Sequence, residues 1–190
     1  MADVNLKPDE NVESSSIAGS KTRVGAPLTA DERPEIAFIE LLFFAYRDFI
    51  SDPDAALLSY GFGRAHHRVI HFVNRHPGIR VTDLLDILKI TKQSLGRVLR
   101  ELVKAGYVIQ RAGAADRRQR LLYVTPKGEA LARDLALLQT RRFARALHEC
   151  GPGARDAARR FLAAMIDPAA RESVEQLIAR ADQAAATRAR

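Results

Sequence analysis

Residues 90–128, ITKQSLGRVLRELVKAGYVIQRAGAADRRQRLLYVTPKG, constrain this chain more than any other segment. Leu95, Val98, Leu99, Leu102 and Val103 fall at i, i+3, i+4, i+7 and i+8, a single apolar stripe on a helix expected over 91–105. The opposite face collects Gln93, Arg97, Arg100 and Lys104, with no acid in that row. Gly106 suits a left-handed cap at the end of the helix. Two strands are then expected over 107–111 and 120–124, joined by a loop whose tip carries Asp116, Arg117, Arg118 and Arg120. A helix buried along one side and cationic along the other, followed by a basic hairpin, calls for a polyanionic partner.

Charge placement sharpens this. The chain carries a formal net charge of +7, yet 62–125 holds 13 Lys/Arg against 4 Asp/Glu, while the remainder nets −2. The positive excess therefore sits wholly in the segment with the helix and hairpin, as in a nucleic-acid-binding domain on a more neutral scaffold. A helix offering a planar amide and cations suits the major groove of double-stranded DNA. The expected fold class is mainly α with a small β-wing, a winged helix-turn-helix flanked by N- and C-terminal helices. Recognition helix and wing make DNA binding the leading function.

Four segments are expected. Residues 1–28 mix polar residues, Gly and Pro with few bulky apolar groups, a disordered leader. Residues 29–60 hold a first dimerisation helix, with a capping box at Thr29 and Glu32 and Pro34 in the first turn. Up to about Ile50 that helix is apolar around nearly its full circumference, which points to burial against a second subunit. SDPD and YGFG are expected to break the chain next. Residues 61–125 form the winged domain, with helices over 64–75 and 81–88, and Thr82 or Thr91 as caps. Residues 126–185 form the C-terminal helices, one from Pro126 to about Cys150 ended by GPG, and one from about Ala154 that Pro168 can interrupt.

The order of helices, wing and long C-terminal helices resembles the MarR family of bacterial transcriptional regulators. Residues 102–106, the wing motif DRRQRLLYVT and the following PKG carry the resemblance, which covers about 34–182. YGFGRAHHR is similar to the PetP-like branch of that family. The resemblance implies a homodimer built by the first and last helices, with two winged domains on a pseudo-palindrome. It places Gln93, Ser94 and Arg97 near base edges and Arg118 in the minor groove, held by Asp116, with Arg117 and Arg120 on phosphates. Thr91, Lys92, Arg100 and Arg111 complete the expected DNA-facing set. Gly96 and Gln119 depart from the family's pattern.

Other chemistry is weaker. His67 and His71 stand at i, i+4 beside His66, a spacing able to present two imidazoles to a metal, but no Cys or carboxylate cluster accompanies them. Surface or pocket-lining histidines are preferred to a metal site. The resemblance, in whose family the second helix borders an effector pocket, makes Phe43, Arg47, His66, His67 and His71 candidates for contacting a small-molecule effector, aromatic or carboxylate. For Arg47 a rim salt bridge to Asp48 or Glu40 neighbours across the dimer is the preferred reading. Metal, haem or redox sensing, the last through Cys150, and a winged-helix protein-interaction module are the alternatives. No catalytic signature, metal site or cofactor site is expected, and the chain is read as a non-enzyme. A single cysteine excludes an intrachain disulfide. The N-terminus lacks an apolar signal-peptide core and no stretch suits a membrane span, so a cytoplasmic protein is expected.

Overall fold

The structure, a computed structural model, describes residues 29, 31, 33–114 and 116–188. The leader expected over 1–28, and Glu32 of the expected capping box, lie outside them. The chain divides between Glu40 and Leu41 into two compact units, and the elements that matter for function lie in the second. The order is α1 (Ile36–Leu58), α2 (Arg64–Arg75), β1 (Ile79–Arg80), α3 (Val81–Leu88), α4 (Lys92–Lys104), β2 (Val108–Ala112), β3 (Arg120–Val124), α5 (Pro126–Glu149), α6 (Ala154–Ala164) and α7 (Pro168–Arg188).

α1 does not stop at SDPD. Pro53 lies inside the helix, where a proline costs about 3 kcal/mol against helix formation. Tertiary packing overrides that cost. Ile50, Pro53 and Leu57 are buried at i, i+3 and i+7. Both acids of the motif are tied to other helices, Asp52 by Arg142 of α5 at 2.8 Å and Asp54 by Arg64 of α2 at 2.7 Å. The first half of α1 is the opposite case, with Leu41, Leu42, Phe43, Phe44 and Tyr46 exposed on this single chain.

One core joins the end of α1, α2 to α4, the sheet and α5. Val69, Ile70 and Val73 of α2, Leu84 of α3, and Leu95, Val98, Leu99 and Leu102 of α4 meet Tyr107, Val108 and Leu122 of the wing and Leu131, Ala132 and Leu135 of α5. Val103 departs from the expected stripe. It is 40% exposed, because the stripe is narrower than five apolar positions and Val103 lies at its edge.

β2 and β3 pair antiparallel, from Val108 opposite Val124 to Ala112 opposite Arg120. The wing has a third strand that periodicity could not announce, since β1 is two residues long; Ile79 pairs with Leu122 and Arg80 with Leu121. TPKG locks wing to helix. Thr125 caps α5 by accepting from Gly128 N at 3.1 Å and donates to Gly106 O at 2.7 Å. Lys127 reaches the Ala105 carbonyl at the end of α4 and lies over the Tyr107 ring. Gly128 is obligatory by close approach: a β-carbon there would sit 2.1 Å from Tyr107 O. Among the described residues the C-terminal helices number three, because the expected interruption falls just before Pro168. The chain breaks at Asp167, whose carboxylate accepts from Ala169 N at 2.8 Å as α7 begins at Pro168. Among the described residues no helix is long and apolar enough to cross a membrane.

Candidate nucleic-acid interface

Thr91 caps α4, its hydroxyl accepting from Ser94 N at 3.2 Å and donating to Ser94 Oγ at 2.9 Å. With the helix start held, Gln93, Arg97, Arg100 and Lys104 all emerge exposed, opposite the buried Leu95, Val98, Leu99 and Leu102. Thr91, Lys92 and Ser94 are exposed at the same end. Gly96 has room for a β-carbon, whose nearest new neighbour would be Arg100 Nη1 at 3.8 Å. Nothing within the chain explains this glycine.

The acid-free row has an acid beside it. Glu101, four residues after Arg97, accepts from Arg97 Nε at 3.0 Å through Oε1. Its other oxygen lies 2.7 Å from His66 Nε2 on α2. These hydrogen bonds, that from Arg97 first and that from His66 second, hold the Glu101 carboxyl below the usual carboxylate range. Composition could not have singled it out, but its i, i+4 spacing from Arg97 was readable.

In the wing, Arg111, Arg117, Arg118 and Arg120 are exposed. Arg111 lies over the Tyr123 ring, 5.2 Å from its centroid. Asp116 holds Arg118, though through the main chain: its Oδ1 accepts from Arg118 N at 2.9 Å. An aspartate reaches the N–H two residues on far more readily than the end of a flexible arginine, and the result is an Asx turn. The Asp116 carbonyl accepts from Gln119 N, and the Gln119 carbonyl from Gly113 N, both at 3.0 Å. A β-carbon at Gly113 would approach Asp116 O to 2.8 Å, so the tip closes this tightly only on glycine.

A cavity of about 210 Å³ lies between α1, α2 and α5, lined by Tyr46, Phe49, Ile50, Arg64, His67, Arg68, His71, Phe72 and Gln139. His67 and His71 thus line one cavity. His66 turns the other way, to α4. Phe43 is exposed and Arg47 is paired to the adjacent Asp48 at 2.9 Å while lying over the Phe44 ring, and neither lines the cavity. Arg64 and Arg68 were not anticipated, although they precede His71 by seven and three positions on the same helix. Arg64 is tied to Asp54, whereas Arg68 donates to the neutral hydroxyl of Tyr46 at 3.1 Å. Burial lowers the pKa of His67, opposed by Asp54 and helped by Arg68. Burial, then His67, Arg75 and His76, holds His71 down to about 4. Both rings are therefore neutral near pH 7. Cys150 is exposed at the C-terminal cap of α5.

Residues 60–119 match the MarR family. The HTH-type transcriptional regulator PetP of Rhodobacter capsulatus is 49% identical over 139 residues, 73% of this chain and 84% of that protein. A MarR transcriptional regulator from Methanosarcina mazei Go1 superposes with a TM-score of 0.55 at 25% identity, over 66% of this chain and 91% of that one. A MarR-family regulator from Silicibacter pomeroyi gives a TM-score of 0.62 at 19% identity, over 74% and 94%, a likeness of fold. Fold, recognition helix, wing and the high identity over most of both sequences converge: the chain belongs to the MarR family of winged-helix, DNA-binding transcriptional regulators.

Proposed function

We propose that the chain is a homodimeric, ligand-responsive repressor reading a pseudo-palindromic operator. The observation that carries the reading is the division of α4, with four core residues on one side and Gln93, Arg97, Arg100 and Lys104 in solvent on the other. On this reading Gln93, Ser94 and Arg97 meet base edges. Thr91, Lys92 and Arg100 hold phosphates near the helix N-terminus. Arg118 enters the minor groove, and Arg111, Arg117 and Arg120 contact the backbone. Two copies would be joined through the exposed apolar faces of α1 and of the C-terminal helices, the latter including Phe143, Phe161, Leu162 and Ile178. The cavity on α2 would take the effector. Aromatic walls from Tyr46, Phe49 and Phe72, with Arg68 bonded only to a neutral phenol among the contacts above, suit an aromatic carboxylate. Because α2 also packs on α4 through the shared core, a ligand seated there can act on the recognition helix.

Selection from a randomised duplex pool tests the reading. The expected consensus has two half-sites about one helical turn apart. With on the order of 6–10 phosphate contacts, affinity should fall about 10³- to 10⁵-fold between 50 and 200 mM salt. Recovery of no consensus, or a flat salt response, would overturn operator recognition. Benzoate-type carboxylates should release the selected duplex from the wild type but not from Arg68→Ala, and failure of that arm alone would remove only the effector.

A further inference from the structure

Arg97, Glu101 and His66 form a chain of contacts running from the exposed face of the recognition helix to the helix behind it. Arg97 Nε donates to Glu101 Oε1 at 3.0 Å, and Glu101 Oε2 lies 2.7 Å from His66 Nε2. The remaining ring nitrogen is accounted for, since Gly63 N–H donates to His66 Nδ1 at 3.2 Å. With Nδ1 accepting, the proton of the neutral ring sits on Nε2, which therefore donates to the carboxylate. Phe62 stacks on the imidazole with centroids 4.7 Å apart and planes 13° from parallel, which holds the ring's tilt. Exposure falls along the chain, from 77% for the Arg97 side chain through 42% for Glu101 to 11% for His66. The outer end is free to meet a ligand and the inner end is anchored.

We propose that Glu101, clamped from α2 by His66, is a positioning residue that presents Arg97 for base recognition and so sets specificity at the base pair Arg97 meets. The inference rests on the reading of Arg97 as a base reader. An exposed i, i+4 ion pair by itself orders an arginine weakly, because both partners must be immobilised. Here one partner is already immobilised by a third group. The contact uses Nε, which leaves both terminal nitrogens of the guanidinium, the edge that pairs with the O6 and N7 of guanine. An acid next to the DNA-facing row opposes attraction to phosphates, and the positioning role supplies a physical reason for it to stand there. The opposite role, a lock that competes with DNA for Arg97, makes the contrary prediction.

The test uses the full chain, a duplex selected by the wild type from a random pool, single-base-pair variants of it and an unselected duplex, all at one salt concentration. Glu101→Ala should reduce discrimination at one base pair per half-site by about five- to tenfold, on the scale of one bidentate contact. Its affinity for the unselected duplex should stay level or rise. Arg97→Ala should lose discrimination at the same base pair, and the double variant should lose no more than Arg97→Ala alone. His66→Ala should weaken the same discrimination, with His66→Gln restoring it through its amide N–H. Tighter binding by Glu101→Ala with discrimination intact, or additive losses, overturns the positioning role while leaving Arg97 as a reader. Arg97→Ala without loss of discrimination removes both. Because Glu101 is partly exposed and outside the core, thermal melts should show all Glu101 and Arg97 variants folded, which keeps each outcome interpretable.

Discussion

His71 shows how much a single side chain can report. Its imidazole is held to about 4 by burial first and by the neighbouring His67, Arg75 and His76 second, whereas the unfolded chain leaves it near 6.5. The folded group therefore binds its proton later than the unfolded one as pH falls. Stability from this group is fully present above about 6.5 and is lost progressively down to about 4, with a total on the order of 3 kcal/mol. Urea melts at pH 7.5, 5.5 and 4.5 should show the loss in the wild type. His71→Gln should remove that part of the slope, the difference between the two proteins separating it from the titration of carboxylates. Identical slopes would mean that the ring is better solvated than its surroundings indicate.

At the scale of the element, the wing tip is a hydrogen-bonded turn rather than a loose basic loop. Asp116 organises it through main-chain contacts, so the charge of Asp116 and its turn-forming oxygen can be separated. Asp116→Asn keeps the oxygen and removes a negative charge beside a polyanion, and DNA affinity should stay level or tighten slightly, within about 0.5 kcal/mol. Asp116→Ala removes the turn contact as well and should weaken binding by about 1 kcal/mol per wing. Fluorescence anisotropy on one duplex at fixed salt checks both. Equal losses from Asn and Ala would return the role to the carboxylate's charge.

At the scale of the molecule, the unbalanced surface is apolar. Phe43 is 64% exposed and Phe44 49%, with Leu41, Leu42 and Tyr46 beside them. On a monomer a charge at such a site would be harmless or helpful. Beneath a second copy it would be buried unpaired, which costs several kcal/mol. Phe44→Asp should therefore convert a species of twice the chain mass into monomer, with loss of operator binding and the cooperative melt shifted down. Light scattering that finds a folded, DNA-binding wild-type monomer would end the dimer proposal.

Much of this protein was written in local order. The stripe of α4, the arginines opposite it, Gly106, the wing strands to within one residue and the cap at Thr91 are properties of adjacent residues, and periodicity and cap chemistry report them. The i, i+4 spacing of His67 and His71 put them on one side of α2, and the helices packed there decided that this side lines a cavity. Tertiary structure decided what depends on partners far along the chain. α1 runs through Pro53 because Arg64 and Arg142 tie its acids and the core buries its inner face. β1 exists because β3 offers it an edge, two residues being too short for a pattern. His66, adjacent to His67 in sequence, leaves the cavity because successive residues on a helix point about 100° apart, and Glu101 lies where its ring arrives. Local order specifies which face a residue takes, and only the packed helices decide what that face meets.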